Sequence, residues 1–314
     1  MPMSEFHVVD VFSSVDYRGN PVMIVAADED LAAEQMQAFA AWNGMPETVY
    51  LRPSLLSVAD DRSSYAARIF SPRAELAFAG HPSLGAAHLA VETGMVQRPS
   101  FAARDDEFGD GACETATLWQ QCAVGAVELK VLRLSAGGVK VFVKTPAPGK
   151  VIALASDENR AIAAAIGLAD AAESYRVSAG ANWIVVKLNE AADLATLMPN
   201  MRAIEVLSVT LGVSGITAYA ALADDADTRF DVRSFGPAIG VPEDAVCGGG
   251  NACMATLHHH LHGPRDDAGY LAYRTRQGRF VGRDGRVHIR GPVADHRFWI
   301  GGTTRTMMSG KVSL

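Results

Sequence analysis

Four side chains and one glycine run in this chain have the types and settings that chemistry needs: Glu47, His81, Asp244, Cys247 and Gly248-Gly249-Gly250. Cys247 stands directly before the glycines, and these run into an apolar segment that reads as a helix closing at Gly263 with Pro264 behind it. The first backbone N–H groups of a helix lack intrahelical partners and its dipole is positive there, so a carboxylate or phosphate is favoured. Glycines let such an anion approach the backbone. The same field favours a thiolate, which makes Cys247 a candidate nucleophile or proton-transfer group. The other reading of a lone cysteine is a small buried hydrophobe, and Cys253, inside the helix, is read that way. Glu47 follows Pro46 in apolar surroundings, where desolvation raises a carboxyl pKa toward the range useful for moving protons; its other reading is a solvated loop glutamate. With His81 and Asp244 beside the proposed anion sites, the set supplies a carboxyl, an imidazole and a second acid.

Two segments are built alike. Phe235 to Gly263 contains Phe-Gly-Pro, an acidic pair, a glycine turn, an apolar helix and a terminal glycine. Phe70 to Gly94 contains Phe-Ser-Pro, an acidic residue, the Gly80-His81-Pro82 turn, an apolar helix and Gly94. The spacings Gly80 to Gly94 and Gly248 to Gly263 differ by one residue. This reads as a duplication in which each half presents one helix N-terminus, and the two ends are expected to meet at a ligand cleft.

Composition bounds the rest. At 314 residues, 49 % hydrophobic and 20 % charged, the chain reads as a soluble globular protein of two ordinary domains. A net charge of −7 without a basic run argues against nucleic acid and leaves small molecules as ligands. The N-terminus lacks the basic and apolar regions of a signal peptide, and no stretch approaches a membrane span, so a cytoplasmic location is expected. Cys113, Cys122, Cys247 and Cys253 are too sparse for a disulfide framework and read as thiols. His258 and His262 lie one turn apart, but no glutamate completes a metalloprotease helix and no third ligand follows. The histidines therefore read as a solvated helix end near its negative dipole, and no metal is expected. Neither the phosphate-loop nor the dinucleotide glycine signature is present.

The elements that must position these groups follow from periodicity. Strands are expected at 6–12 and 20–26 around the turn Tyr17–Pro21, then a helix from Asp30 to Trp42 and a strand entered through Met45-Pro46-Glu47. A strand at 65–70 leads to a helix at 82–93 that is apolar nearly all round and so must be wrapped by strands. Residues 100–117 form a polar loop or divergent strand. A hairpin joins 126–134 to 139–145 through Ser135–Gly138, and a helix capped by Ser156 stops at Gly167. Strands at 182–188 and 216–222 bracket helices at 190–198 and 201–211, and a strand at 230–234 delivers the chain to Cys247. Strands at 270–275, 279–289 and 296–301 and a polar β tail complete it.

These residues resemble the phenazine-biosynthesis PhzF-like family, within the diaminopimelate-epimerase-like fold. The resemblance is carried by Asp10-Val-Phe with Gly19-Asn20-Pro21, Met45-Pro-Glu-Thr, Phe70-Ser-Pro with Phe78-Ala-Gly-His-Pro, Phe235-Gly-Pro with Gly240-Val-Pro-Glu-Asp, and Gly301-Gly302. It implies an α+β protein of two similar barrel-like domains, each around a central helix. Residues 1–125 would form the N-terminal half, joined by a C-terminal strand at 297–314, and 126–296 the C-terminal half. It also implies a homodimer, a small-molecule carboxylate substrate, and no metal or organic cofactor. Glu47 matches the family's catalytic acid/base, His81 and Asp244 its motif histidine and aspartate, and Asn20, Gly80 and Gly248–Gly250 its substrate contacts. One departure stands out. Where the family reads Glu-Asp-Pro-x-Thr-Gly-Ser, this chain has Glu243-Asp-Ala-Val-Cys-Gly-Gly-Gly, which puts a cysteine where epimerase relatives carry a catalytic thiol, while the second thiol position falls on Ala79.

The function expected first is a cofactor-independent isomerase that moves a proton on a small carboxylate-bearing substrate, with Glu47 as acid/base and the glycine amides holding the carboxylate. A one-thiol epimerase or racemase using Glu47 and Cys247 is the alternative within the same fold. A small-ligand binding protein without chemistry is the alternative of another class.

Overall fold

The computed structural model describes all residues except 1–2, 28–30, 54–62, 97–101, 104–107, 109–111, 148, 171, 223–227, 264–270 and 293–294. The expected helix start at Asp30, the Pro264 stop, residue 270 and much of 100–117 lie outside the described residues. By contact the chain divides into two compact units, Met1–Lys144 with Gly301–Leu314, and Thr145–Ile300.

The first unit contains β1 (Met3–Val11), β2 (Asn20–Ala26), α1 (Ala33–Trp42), β3 (Thr48–Pro53), β4 (Ser64–Phe70), β5 (Glu75–Leu76), α2 (Gly80–Glu92), β6 (Ala102–Ala103), β7 (Ala112–Cys122), β8 (Gly125–Leu134) and β9 (Val139–Lys144). Its boundary falls after Lys144, not at 125, because β7, β8 and β9 form one antiparallel meander, with Leu118 opposite Leu129 and Val131 opposite Val141. A division at 125 would cut that meander at its first hairpin. The C-terminal strand Trp299–Ser313 returns to pair antiparallel with β1.

The second unit contains β10 (Lys150–Ala153), α3 (Ser156–Ile166), β11 (Ser174–Ser178), β12 (Asn182–Lys187), α4 (Ala191–Thr196), α5 (Met201–Leu211), β13 (Ile216–Ala221), β14 (Phe230–Gly236), β15 (Val241–Asp244), α6 (Gly248–His262), β16 (Leu271–Gln277) and β17 (Gly285–Gly291). The strand expected over 279–289 is interrupted by a 3₁₀ turn at Arg279–Val281, held between the left-handed Gly278 and Gly282. Ser156 is the first helical residue of α3 rather than its cap; the cap is Ala155, whose N–H donates to Glu158 Oε2 at 2.8 Å.

Within each unit the strands pair in one order of orientations. In the first, the C-terminal strand–β1 and β1–β2 are antiparallel, β2–β3 parallel, β3–β4 antiparallel, β4–β7 parallel and β7–β8 antiparallel. In the second, β10–β11 and β11–β12 are antiparallel, β12–β13 parallel, β13–β14 antiparallel, β14–β16 parallel and β16–β17 antiparallel. A parallel pair needs a crossover, and helices supply it: α1 and α2 in the first unit, α4–α5 and α6 in the second.

The helix before each second parallel strand is the buried one. Every residue of α2 from Gly80 to Ala90 is buried, against β1, β2, β3, β4, β7, β8 and β9. In the second unit α6 is buried from Gly250 to His258 and packs on β10, β11, β12, β13 and β17. The opposite face of β12–β13 is closed by α3 and α5: Ile162, Ile166 and Ile204 pack with Ile184, Val186, Ile216 and Ala218. Covered on both faces, these strands read in sequence as near-continuous apolar runs rather than alternating ones.

Candidate active site

In the first unit the chain brings Asn20, Glu47 and His81 together. The Asp10 carboxylate is buried in β1 and its Oδ2 accepts the Gly19 N–H at 3.1 Å, which fixes the turn into β2. A side chain at Gly19 would strike the Val11 carbonyl oxygen at 2.2 Å, so this position admits only glycine. The turn delivers Asn20, fully buried, to a point where its Nδ2 faces His81 Nδ1 at 3.5 Å. Glu47 sits just before β3, and its Oε2 lies 3.5 Å from His81 Nε2; both side chains are buried. The alternative of a solvated loop glutamate is thereby removed for Glu47.

His81 occupies the first turn of α2, whose N-cap is Ala79 with extended backbone. Burial pushes its pKa down to about 3, against the opposing pull of a hydrogen bond to the Pro21 backbone. The ring is therefore neutral at physiological pH, and its contact with Glu47 is one between a carboxyl and a neutral imidazole rather than an ion pair. Nε2 makes no hydrogen bond among the described residues. Behind the turn Ser83 Oγ donates to the Ala79 carbonyl at 2.8 Å and accepts from Gln120 Nε2 at 2.9 Å, while Tyr65 OH donates to Gln120 Oε1 at 3.2 Å.

In the second unit Asp244, Cys247 and the glycines follow one another at the start of α6. Cys247 is the N-cap with extended backbone, the place Ala79 takes on α2. Its Sγ accepts the Gly250 N–H at 3.2 Å. That bond engages one of the three expected cradle amides and leaves those of Gly248 and Gly249 without an acceptor among the described residues. Thr217 Oγ1 and Ser234 Oγ would lie 2.4 and 2.8 Å from a side chain at Gly250, so no larger residue fits there. Asp244 ends β15 and is 6 % exposed.

Two groups that sequence reasoning missed hold this turn. Gln277 Oε1 accepts the Cys247 N–H at 3.1 Å and Asn251 Nδ2 at 2.9 Å, and its Nε2 donates to the Asp244 carbonyl at 3.0 Å. Arg233 donates through Nε and Nη2 to Glu243 Oε1 and Oε2 at 2.9 and 2.8 Å, and through Nη1 to the Leu194 carbonyl at 2.8 Å. The motif residue Glu243 is thus the partner of a buried arginine. Neither glutamine nor arginine carried a spacing signal: Gln277 reaches its partners across 26 to 33 residues, and Arg233 reaches Leu194 across 39 and Glu243 on the neighbouring strand β15.

The histidine run differs from its expected solvated setting. His258 is 3 % exposed, because α6 carries it into an aromatic cluster with Phe230 at 4.9 Å and His262 at 4.7 Å. His262 Nε2 lies 3.3 Å from Lys187 Nζ. Among the described residues no three His, Cys, Asp or Glu side chains are grouped to hold a metal ion. Cys122, Cys247 and Cys253 are free thiols, and Cys253, donating to the Val177 and Ala181 carbonyls, is pushed by burial up to about 12.

Comparison with known proteins adds to this geometry. The family model described as phenazine biosynthesis-like protein matches residues 9–310. An uncharacterized isomerase of Deinococcus radiodurans is 30 % identical over 94 % of this chain and 89 % of its own. The trans-2,3-dihydro-3-hydroxyanthranilate isomerase of Pseudomonas aeruginosa is 29 % identical over 94 % of this chain and 93 % of its own. In fold, the chain is similar to the crystal structure of the Bacillus anthracis phenazine biosynthesis protein of the PhzF family, with a TM-score of 0.80 at 20 % identity and full coverage of both chains.

Proposed function

The chain belongs to the phenazine biosynthesis-like family, and from that premise we propose that it is a cofactor-independent isomerase moving a proton on a small carboxylate-bearing substrate. The observation that carries this reading is the buried contact of Glu47 Oε2 with His81 Nε2 at 3.5 Å. A carboxyl beside a neutral imidazole can take a proton from carbon and return it elsewhere, and burial keeps bulk water from competing. Glu47 is the acid/base in this reading, His81 and Asn20 orient the substrate, and Asp244 tunes the proton transfer. The amides of Gly248 and Gly249 hold the carboxylate and stabilise enolate-like charge. The enzyme is read as a cytoplasmic homodimer that takes neither nucleic acid nor metal; among the described residues no helix is long and apolar enough to cross a membrane.

The test is solvent exchange. Wild type and Glu47→Gln are incubated in D2O with a carboxylate panel that includes trans-2,3-dihydro-3-hydroxyanthranilate, the substrate named for the Pseudomonas aeruginosa relative. Glu47→Gln is expected to lose on the order of 100-fold or more of the deuterium incorporation while keeping its circular dichroism. Undiminished exchange removes Glu47 as the base.

A second reading is favoured by the place of Cys247 at the N-cap of α6. In a one-thiol epimerase, Cys247 and Glu47 serve opposite faces of the α-carbon, since inversion needs removal on one side and delivery on the other. Cys247→Ser separates the two: an epimerase collapses, whereas an isomerase relying on Glu47 keeps most of its activity.

A further inference from the structure

Trp183, on β12, is 3 % exposed, and its orientation is set by three glycines. A side chain at Gly215 would meet its Cζ3 at 2.8 Å and one at Gly236 its Cη2 at 3.4 Å, so the benzo edge of the indole fills the space these residues leave open. A side chain at Gly249 would meet Nε1 at 3.2 Å and Cδ1 at 3.9 Å. The pyrrole edge, with its N–H, therefore lies against the first turn of α6. Packing of the benzo ring against the β13 and β14 backbone prevents the ring from turning this edge away.

An indole N–H is a donor only, and a buried tryptophan ordinarily finds it an acceptor. The Trp183 Nε1–H makes no hydrogen bond with any described residue, although the ring around it is buried. Gly249 beside it is half-exposed, unlike Gly248 and Gly250, so the donor stands where the first turn of α6 is open. The Gly248 and Gly249 amides, equally without acceptors among the described residues, are at the same turn.

We infer that Trp183 is a substrate-binding residue: its Nε1–H is the third donor of the anion site at the start of α6 and takes an oxygen of the substrate carboxylate. The inference rests on the proposed role of the Gly248 and Gly249 amides in holding that carboxylate. It makes Gly249 a specificity position as well, since any side chain there would cover the indole N–H.

The experiment is ¹⁵N–¹H correlation spectroscopy of the full chain titrated with benzoate, and separately with benzamide as the uncharged probe of the same shape. The chain has four tryptophans, and the indole signal lost in Trp183→Phe identifies residue 183. Benzoate is expected to move the Trp183 indole signal downfield together with the Gly248 and Gly249 amides, leaving the other three indoles in place, and benzamide to move none of them. Trp183→Phe, which keeps a ring and removes the donor, is expected to weaken benzoate roughly tenfold, the loss of one hydrogen bond to a charged group. If Trp183→Phe fails to fold, replacing each of the other three tryptophans by phenylalanine in turn identifies the Trp183 indole by elimination, and its shift in the wild-type chain then decides. Glycine amides that move while the indole does not, with Trp183→Phe binding benzoate as wild type does, overturn the inference and leave the amide cradle standing. Benzoate that moves neither overturns both.

Discussion

Gln277 and Cys247 are joined backbone to side chain: the Cys247 N–H donates to Gln277 Oε1 at 3.1 Å, and the same oxygen takes Asn251 Nδ2 at 2.9 Å. The first unit repeats the device with Gln120 and Ser83 at 2.9 Å. In the parallel pairs Gln120 stands opposite Tyr65 of β4 and Gln277 opposite Val232 of β14. Each buried helix is thus tied at its N-terminus to the parallel strand that its crossover leads to, β7 for α2 and β16 for α6, which holds the amide-bearing turn still.

Replacing Gln277 by methionine keeps the volume but takes the side-chain partner from the Cys247 N–H and the Asp244 carbonyl in a dry interior, while Asn251 Nδ2 loses one acceptor and keeps the Cys247 carbonyl at 2.8 Å. A cost of about 2 kcal/mol or more is expected, from the penalty for buried polar groups without partners. Urea unfolding of Gln277→Met should show a lowered midpoint at unchanged slope; a midpoint within error of wild type would mean that the turn holds itself.

His81 gives a pH dependence of known sign. Its pKa of about 3 in the folded chain lies below the ordinary 6.5. Between these values the unfolded chain binds the additional proton, so stability is complete above 6.5 and is lost as pH falls toward 3. His81→Asn, which does not titrate, should flatten this part of the profile. Denaturation midpoints at pH 7, 5 and 4 for both proteins measure it, and parallel profiles would contradict it.

Arg233 has a side chain 8 % exposed beside Glu243 at 13 %, and its guanidinium lies 4.2 Å from the Phe280 ring centroid. Arg233→Ala leaves the Glu243 carboxylate buried without its partner, at a cost of roughly 3–5 kcal/mol. Arg233→Lys should recover only part of this, because an ammonium cannot reproduce the two-pronged contact. Calorimetric melting of the two variants gives the order; equal losses would mean that charge alone matters.

The thiols should differ in reactivity in the native state. Cys253 is fully buried with its pKa pushed up to about 12, whereas Cys122 is half-buried beside Gly125 at the β7–β8 turn. Iodoacetamide at pH 8 is expected to label Cys122 well before Cys253, as read by peptide mass spectrometry. Prompt labelling of Cys253 would show that α6 opens from its sheet.

The sequence by itself determined the two buried helices and the glycine turns before them, and it singled out Glu47, His81, Asp244 and Cys247 as candidates. These are local signals: an apolar helix without a polar face must be enclosed, and Gly-His-Pro or Cys-Gly-Gly-Gly marks where it begins. It also determined the family, because the motifs recur in order along nearly the whole chain. Only the tertiary structure decided that the Gly250 amide belongs to Cys247 Sγ and that His258 is buried among aromatics. Only it decided that β7, β8 and β9 hold the first boundary at Lys144. Gln277, Arg233 and Trp183 escaped notice for the same reason. A glutamine, an arginine or a tryptophan inside a strand looks alike whether it faces solvent, core or ligand. What distinguishes Gln277 and Arg233 is the partner that strand pairing and helix crossover bring from 10 to 39 residues away, and what distinguishes Trp183 is the first turn of α6 laid against its indole N–H; no periodicity along the chain records either.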